Sequence, residues 1–217
     1  MAALPTASEL RKGLVYVIDD DDAIRDSLAF LLEGGGIEVE TYACAADFLA
    51  NYRPTPPCCL VLDIRMPGMS GMELQDRLIA QGERIPIIFI TAHGDVPMAV
   101  QAVKKGAVDF IEKPFNSQQL IDLIGRALQH EQAVQKGRQA ELRAAARLEL
   151  LTPRERAVLD LVVAGKLNKT IADQLGISIK TVETHRSKVM EKMQAKSLAD
   201  LIQSALAGRG TPPGSPS

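Results

Sequence analysis

Acidic, basic and hydroxyl side chains stand at the carboxyl ends of short apolar runs in the first half of the chain. These residues are Asp19, Asp20, Asp63, Thr91 and Lys113. Carboxylates crowded into one crevice repel one another unless a cation joins them, and oxygen ligands of this kind suit Mg²⁺ that shares its site with a phosphate. A carboxylate beside such a metal can attack phosphorus and form an acyl phosphate, while a lysine and a hydroxyl hold the phosphoryl oxygens.

These side chains can meet only if the apolar runs before them are neighbouring strands. Runs of strand length occur at 14–18, 59–62, 87–90 and 107–111, with a weaker one near 37–42. Segments with helical spacing alternate with them near 22–33, 45–52, 71–80, 97–105 and 117–130. The alternation predicts right-handed βαβ crossovers and a parallel sheet with helices on both faces. Ligands of such sheets bind at the carboxyl ends of the strands.

The charge of the chain is unevenly distributed. The 217 residues carry a net charge of −2, which by itself argues against a strongly basic nucleic-acid binder. Residues 1–125 carry −8, however, whereas 126–148 and 149–217 carry +3 each. This asymmetry predicts two modules with different partners.

Composition also bounds the cellular setting. Three cysteines, two of them adjacent, form neither a disulfide framework nor a metal cluster. The longest apolar stretch is too short to span a bilayer, and the N-terminus lacks the features of a secretion signal. We therefore expect a cytoplasmic protein with no membrane partner.

The segment after residue 130 admits two interpretations. A helical pattern without proline runs from about Ser117 to Leu148, but Gly125 and Gly137 weaken it and its heptads are poor. The segment is either a long helical linker or a solvated, partly helical tether.

Short capped helices follow residue 150. Thr152, Pro153 and Glu155 form the pattern of a capping box. Asn168 is a candidate cap for the next helix, which Gly176 ends, and Ser178 and Ser197 are candidate caps for the last two. Residues 168–193 thus have the rhythm of a helix-turn-helix, with 178–193 as the recognition helix. One face of this helix carries hydroxyl and ammonium groups, which could contact the bases and phosphates of DNA.

The first module resembles the receiver domains of response regulators. The motifs that carry the resemblance are VIDDDD (17–22), LDIRMPGMSG (62–71), ITAHGDVPMAV (90–100) and GAVDFIEKPF (106–115). The resemblance implies a flavodoxin-like (βα)₅ fold with strand order 2-1-3-4-5.

The resemblance also implies a role for each pocket residue. Asp63 is the phosphoacceptor, and a histidine kinase is the phosphoryl donor. Asp20 and Asp63 bind Mg²⁺ directly, together with the Arg65 carbonyl, and Asp19 acts through a bound water. Lys113 pairs with the phosphoryl group, Thr91 moves towards it, and Phe110 is the aromatic switch residue. The Lys113–Pro114 bond is expected to be cis.

The second module resembles the LuxR-type four-helix DNA-binding domain through LTPRE, NKTIA, LGIS and KTVETHRSKVMEKM. Taken with the receiver, the chain resembles FixJ/NarL-type response regulators, and the receiver motifs favour the FixJ-like members of that family. The resemblance puts Glu183, Thr184 and Ser187 at base-facing positions. It makes candidates for phosphate contacts of Lys169, Lys180, Thr181, Arg186, Lys188 and Lys192.

These inferences predict an α/β receiver joined to an all-α DNA-binding domain. The expected boundaries are an N-terminal extension at 1–12, the receiver at 13–128, a helical linker at 129–147, the helix-turn-helix domain at 148–207 and a disordered tail at 208–217.

We expect a transcription regulator, by default an activator, that is switched by phosphorylation and is not an enzyme. Phosphorylation would promote homodimerisation through Val100, Lys104 and Asp109, binding to double-stranded promoter DNA and contact with RNA polymerase. Two alternatives remain open. In the first, the chain is a DNA binder that acts without phosphate. In the second, it is a receiver that serves mainly as a phosphate sink.

Overall fold

A computed structural model describes residues 13–53, 57–92 and 96–210. The chain forms two compact units, residues 1–135 and 136–217. The expected N-terminal extension at 1–12 and most of the expected tail, from residue 211 on, lie outside the described residues.

A five-stranded parallel sheet forms the centre of the first unit. Its strands are β1 (Leu14–Ile18), β2 (Glu38–Tyr42), β3 (Cys58–Asp63), β4 (Ile87–Thr91) and β5 (Asp109–Glu112). They lie in the order β2-β1-β3-β4-β5. The predicted fold class and strand order are confirmed.

Five helices follow the strands in turn. They are α1 (Asp22–Gly34), α2 (Ala45–Asn51), α3 (Gly71–Ala80), α4 (Val96–Lys104) and α5 (Ser117–Glu149). Alternate residues of each strand point to opposite faces of the sheet, so two separate cores form. Tyr16, Leu60 and Phe89 pack against α2, α3 and α4 on one face. Val17 and Val61 pack against α1 and α5 on the other.

Strand β5 begins two residues later than its apolar run predicts. Ala107 is buried, but it lies in the turn after Gly106, whose φ is 98°. The ladder with β4 begins where Asp109 pairs with Ile88. Ala107 is apolar because it packs against the core and not because it belongs to the strand, whereas Val108 is 40% exposed.

Helix α5 runs without interruption for 33 residues. Of the two interpretations of this segment, the helical linker is the one that the structure shows. Neither α5 nor another helix within the described ranges is both long and apolar enough to cross a membrane.

The second unit contains four further helices. They are α6 (Pro153–Val163), α7 (Asn168–Leu175), α8 (Ile179–Met193) and α9 (Leu198–Gly208). Together with the end of α5 they bury a third core, to which Leu148, Val158, Ile171, Val182 and Leu201 contribute. Helix α9 reaches Gly208, so the expected tail does not begin at 208.

Side-chain caps set most of the helix starts in this unit. Thr152 and Glu155 form a reciprocal capping box at α6, and Ser178 and Ser197 cap α8 and α9 as predicted. Gly176, with φ of 63°, ends α7.

The prediction that Asn168 caps α7 is wrong. Asn168 is the first residue of the helix, and the capping position belongs to Leu167, which offers no side-chain hydrogen bond. The Asn168 carboxamide oxygen instead accepts a hydrogen bond from the Arg186 guanidinium of α8 at 2.5 Å. A long-range partner has taken the oxygen that sequence reasoning assigned to the local backbone.

Candidate functional site

The carboxyl edge of the sheet brings four polar side chains together. Asp63 and Thr91 are the last residues of β3 and β4, and Asp19 and Lys113 directly follow β1 and β5. Asp19, Asp63 and Thr91 are buried, and Asp20 is exposed. All five residues line one pocket of about 340 Å³, as the sequence predicts.

A lysine bridges the two buried carboxylates. The Lys113 ammonium donates to Oδ2 of Asp19 at 2.6 Å and to Oδ1 of Asp63 at 2.9 Å. The following peptide bond, Lys113–Pro114, is cis, as the resemblance implies. The ammonium supplies the positive charge that two adjacent buried carboxylates require.

The bridge and the burial act in opposite directions on the titration of Asp63. Burial raises the pKa of Asp63, and the hydrogen bond and charge of Lys113 offset only part of that rise. Burial by itself would lower the pKa of Lys113, but its bonds to Asp19 and Asp63 outweigh burial and the pKa is raised. Lys113 is therefore firmly cationic, and Asp63 holds a proton more readily than an exposed aspartate does.

Main-chain groups fix the orientation of the carboxylates. The backbone N–H of Arg65 donates to Oδ2 of Asp63 at 2.7 Å, and the backbone N–H of Asp21 donates to Oδ1 of Asp19 at 3.0 Å. Each carboxylate thus has one oxygen on Lys113 and the other on the backbone. Neither can rotate without losing a hydrogen bond.

Sequence reasoning missed two residues that support the pocket. Gly71 is needed at the start of α3, because a Cβ there would lie 2.3 Å from the Asp63 carbonyl oxygen. Arg25 donates to the Asp19 carbonyl at 2.6 Å and pairs with Asp22. The only signal for Arg25 in the sequence is its position three residues after the four consecutive aspartates at 19–22.

The donors of the pocket match a hard cation in type. They are the carboxylate oxygens of Asp19, Asp20 and Asp63, which line the pocket together with Arg65, and oxygen ligands suit Mg²⁺. In this arrangement, however, no three His, Cys, Asp or Glu side chains within the described residues are grouped closely enough to hold a metal ion. The Lys113 ammonium lies between two of the predicted ligands.

The predicted switch and dimer residues lie apart from these donors. Phe110 is partly buried against the core on the α2–α4 face. Val100 and Lys104 are exposed on α4. Asp109 is partly buried, and its carboxylate accepts the backbone N–H of Phe110 at 2.8 Å.

A larger cleft lies elsewhere in the first unit. Its volume is about 960 Å³, and its lining includes Ile79, Val108 and Val134. Of the predicted site residues it contains only Asp109. The residues predicted to bind a phosphoryl group therefore line the smaller acidic pocket and not this cleft.

The nine predicted DNA-contact residues fall into two groups. Five have exposed side chains that make no hydrogen bond within the described part of the chain: Lys169, Lys180, Glu183, Ser187 and Lys188. All but Lys169 lie on α8. These five side chains are available to a ligand.

The other four are engaged within the protein. Thr181 bonds to Ser178 at the helix cap, and Thr184 donates its hydroxyl to the Lys180 carbonyl at 3.0 Å. Arg186 donates to Asn168. Lys192 donates to Glu155 Oε2 at 2.7 Å and to the Leu150 carbonyl at 3.2 Å. Their spacing on the helix does not reveal these contacts.

Comparison with known protein families gives matches to both units. Residues 15–125 match the family described as "Response regulator receiver domain". Residues 149–205 match the family described as "Bacterial regulatory proteins, luxR family".

Similar proteins cover most of the chain. The transcriptional regulatory protein FixJ of Azorhizobium caulinodans is 48% identical, covering 88% of this chain and 91% of that protein. FixJ of Rhizobium meliloti is 50% identical, covering 89% and 95%. The solved structure of the response regulator StyR is 47% identical, with a TM-score of 0.79 and coverage of 89% and 98%.

Proposed function

The chain belongs to the two-component response regulators that join a receiver domain to a LuxR-family DNA-binding domain, and we propose that phosphoryl transfer to Asp63 switches its binding to promoter DNA. As a member of this family it is a phosphorylation-dependent transcriptional regulator. The observation that carries the choice of Asp63 is its position at the end of the central strand β3, where it is buried with the Lys113 ammonium 2.9 Å away.

The transfer makes one bond and breaks one. A carboxylate oxygen of Asp63 bonds to phosphorus as the phosphorus–nitrogen bond of a kinase phosphohistidine breaks, and the imidazole leaves with the electron pair. Lys113 favours the ionised carboxylate that this attack needs, and it then pairs with the phosphoryl oxygens. The Thr91 hydroxyl moves towards the phosphoryl group, and Phe110 turns inward behind it. The partner that supplies the phosphoryl group is a cognate sensor histidine kinase.

Receiver domains generally bind Mg²⁺, and the oxygen donors of the pocket are of the type this cation prefers. The residues that would hold it are Asp20 and Asp63, the Arg65 carbonyl, and Asp19 through a water. When bound, the cation would offset the negative charge of these carboxylates and of the phosphoryl group.

The phosphorylated receiver then dimerises through Val100, Lys104 and Asp109. A dimer places two recognition helices about one DNA turn apart, roughly 10 bp. The DNA-binding domains of the two protomers are each only weakly basic, so the dimer binds DNA more tightly than one domain alone does. The exposed side chains on α8 contact the DNA, and RNA polymerase is the partner at an activated promoter.

Selection of duplexes from a random pool tests this proposal. The full chain is presented with DNA in the presence and absence of acetyl phosphate and Mg²⁺, and the same selection is made with Asp63→Asn. We expect enrichment of paired half-sites that depends on acetyl phosphate and disappears in the variant. Asp26→Asn, which changes an exposed carboxylate on α1, serves as the control and should behave as the unmodified chain.

Two results would favour the alternatives. Equal enrichment with and without acetyl phosphate, unaffected by Asp63→Asn, would indicate a DNA binder that acts without phosphate. Uptake of phosphate without protection of any duplex at low salt would indicate a phosphate sink.

A further inference from the structure

The carboxyl-terminal ends of α5 and α8 cap each other. Arg147, in the last turn of α5, donates to the Met193 carbonyl at the end of α8 at 3.3 Å. Lys192, in the last turn of α8, donates to the carbonyl of Leu150, just past the end of α5, at 3.2 Å. The last carbonyls of a helix lack partners of their own and favour cations. Each helix therefore supplies a cation to the end of the other, and at α5 Arg156 of α6 adds a second by donating to the Leu148 carbonyl at 2.7 Å.

Lys192 also forms a salt bridge with a buried carboxylate. Its ammonium lies 2.7 Å from Oε2 of Glu155, whose side chain is only 4% exposed. The same oxygen accepts the backbone N–H of Thr152 at 2.9 Å. Removing the ammonium would leave a buried carboxylate without its cation.

The end of α8 also depends on Arg147. Gln194 directly follows α8 as its C-terminal cap and has a φ of 55° although it is not glycine. Arg147 donates to the Gln194 side-chain oxygen at 2.5 Å. A non-glycine residue adopts a positive φ where the surrounding structure stabilises it. The hydrogen bond from Arg147 to the Gln194 side chain is one such stabilising contact.

The end of α5 is packed into the core of the second unit. Ala144 and Leu148 are buried. Gly208 of α9 lies so close that an added Cβ would be 2.7 Å from the Ala144 carbonyl carbon. The final turns of α5 are thus part of the body against which the recognition helix is set.

We propose that Arg147 and Lys192 are positioning residues that fasten the end of the recognition helix α8 to the end of α5, and that Lys192 does not contact a DNA phosphate. This inference rests on the proposed DNA-binding function. It reassigns Lys192 from the predicted phosphate-contact set and adds Arg147, which lies outside the helix-turn-helix.

Lys188 provides a matched comparison. It lies one turn before Lys192 on the same helix, is exposed, and meets no partner within the described residues. Each phosphate contact steepens the fall of log affinity with log salt by about 0.9. A residue that acts only through position changes affinity equally at all salt concentrations and leaves that slope unchanged.

The test measures the dissociation constant across a salt series. The acetyl-phosphate-treated full chain is titrated onto the duplex obtained by selection, with fluorescence anisotropy as readout. The variants are Lys188→Met, Lys192→Met, Lys192→Arg and Arg147→Met. The melting temperature of each is recorded alongside.

We expect Lys188→Met to reduce the magnitude of the slope by about 0.9. Lys192→Met and Arg147→Met should each weaken binding about tenfold at every salt concentration with the slope unchanged. Lys192→Arg should restore most of the affinity. If Lys192→Met fails to fold, Arg147→Met and Lys192→Arg decide, because neither leaves Glu155 without a cation.

A slope that falls in Lys192→Met as it does in Lys188→Met would overturn the inference. Unchanged affinity in Arg147→Met, or loss of the same size in Lys192→Arg and Lys192→Met, would also overturn it. Failure of the unmodified chain to bind any duplex is a separate result, which refutes the proposed function itself.

Discussion

Lys113 and Asp63 lie 50 positions apart in the chain, yet the ammonium of one is 2.9 Å from Oδ1 of the other. The same ammonium lies 2.6 Å from Asp19. The parallel sheet creates this contact, because the strands that precede these residues end at one edge. Most of the chemistry that we assign to the receiver depends on it.

Replacing Lys113 tests its role in the transfer. Lys113→Gln should slow phosphoryl uptake from acetyl phosphate by about 100-fold, because a fixed donor aimed at the developing charge is lost. The rate is followed as the fraction of phosphorylated chain on a phosphate-affinity gel. Lys105→Gln is the control, since this ammonium pairs with Asp76 on the surface at 2.5 Å. Equal rates in the two variants would remove Lys113 from the mechanism.

The titration of Asp63 should appear in the pH dependence of stability. Its pKa is raised above the ordinary 3.8, first by burial, so the folded state binds the proton more tightly than the unfolded state does. This contribution to stability is complete below pH 3.8 and is lost as pH rises through the raised pKa. Asp63→Asn removes the titration and should gain stability relative to the unmodified chain between pH 3.8 and pH 7. Calorimetry at several pH values measures the gain, and a constant difference would contradict this account.

Glu155 should show the opposite dependence. The hydrogen bond from Lys192, followed by the one from Thr152, lowers the pKa of Glu155 from 4.5 to about 2. The resulting stabilisation is complete above pH 4.5 and is lost as pH falls from there to about 2. Glu155→Gln should lower the free energy of unfolding by about 1–2 kcal/mol at pH 7.

The difference between Glu155→Gln and the unmodified chain should shrink towards pH 2. Calorimetric unfolding at pH 7, 4.5 and 2.5 measures it. Glu191→Gln, at an exposed position on the same helix as Lys192, should change little at any pH. A deficit that persists undiminished at pH 2.5 would show that the charge of Glu155 is not its source.

Thr184 should read DNA through its methyl group. Its hydroxyl is already bonded to the Lys180 carbonyl, so the group left to face the groove is apolar, and threonine methyls contact the methyl group of thymine. Thr184→Val should retain the preference for one thymine, whereas Thr184→Ser should lose about fourfold in affinity.

Uracil substitution identifies the base concerned. Replacing the contacted thymine by uracil should weaken binding of the unmodified chain about fourfold and leave Thr184→Ser unaffected. Anisotropy titrations with each substituted duplex provide the measurement. Full retention of affinity by Thr184→Ser on every duplex would exclude a methyl contact.

The proposed dimer surface on α4 predicts a variant that is phosphorylated normally but does not dimerise. Val100 is 46% exposed on α4. Val100→Asp should leave phosphoryl uptake unchanged, keep the phosphorylated chain monomeric in sedimentation velocity, and weaken binding to a paired half-site at least about tenfold. Val134→Asp is the control, because this valine is 51% exposed on α5. Dimerisation of Val100→Asp would place the interface elsewhere.

The sequence by itself determined the pocket and the helix-turn-helix. Asp19, Asp63, Thr91 and Lys113 each follow an apolar run, and parallel strands bring such positions to one edge. Capping residues at Thr152, Ser178 and Ser197 marked helix starts because their hydrogen bonds are made within three residues. Signals that depend only on neighbours along the chain can be read without a structure.

Tertiary structure decided which polar groups are free. Lys188 and Lys192 are the same residue type one turn apart on one helix, yet one is exposed and the other is bound to Glu155, 37 positions earlier. In the same way, the side-chain oxygen of Asn168 accepts a hydrogen bond from Arg186 and does not cap a helix. The partner of a long side chain depends on which helices and strands pack beside it, and the sequence around the residue does not predict that packing.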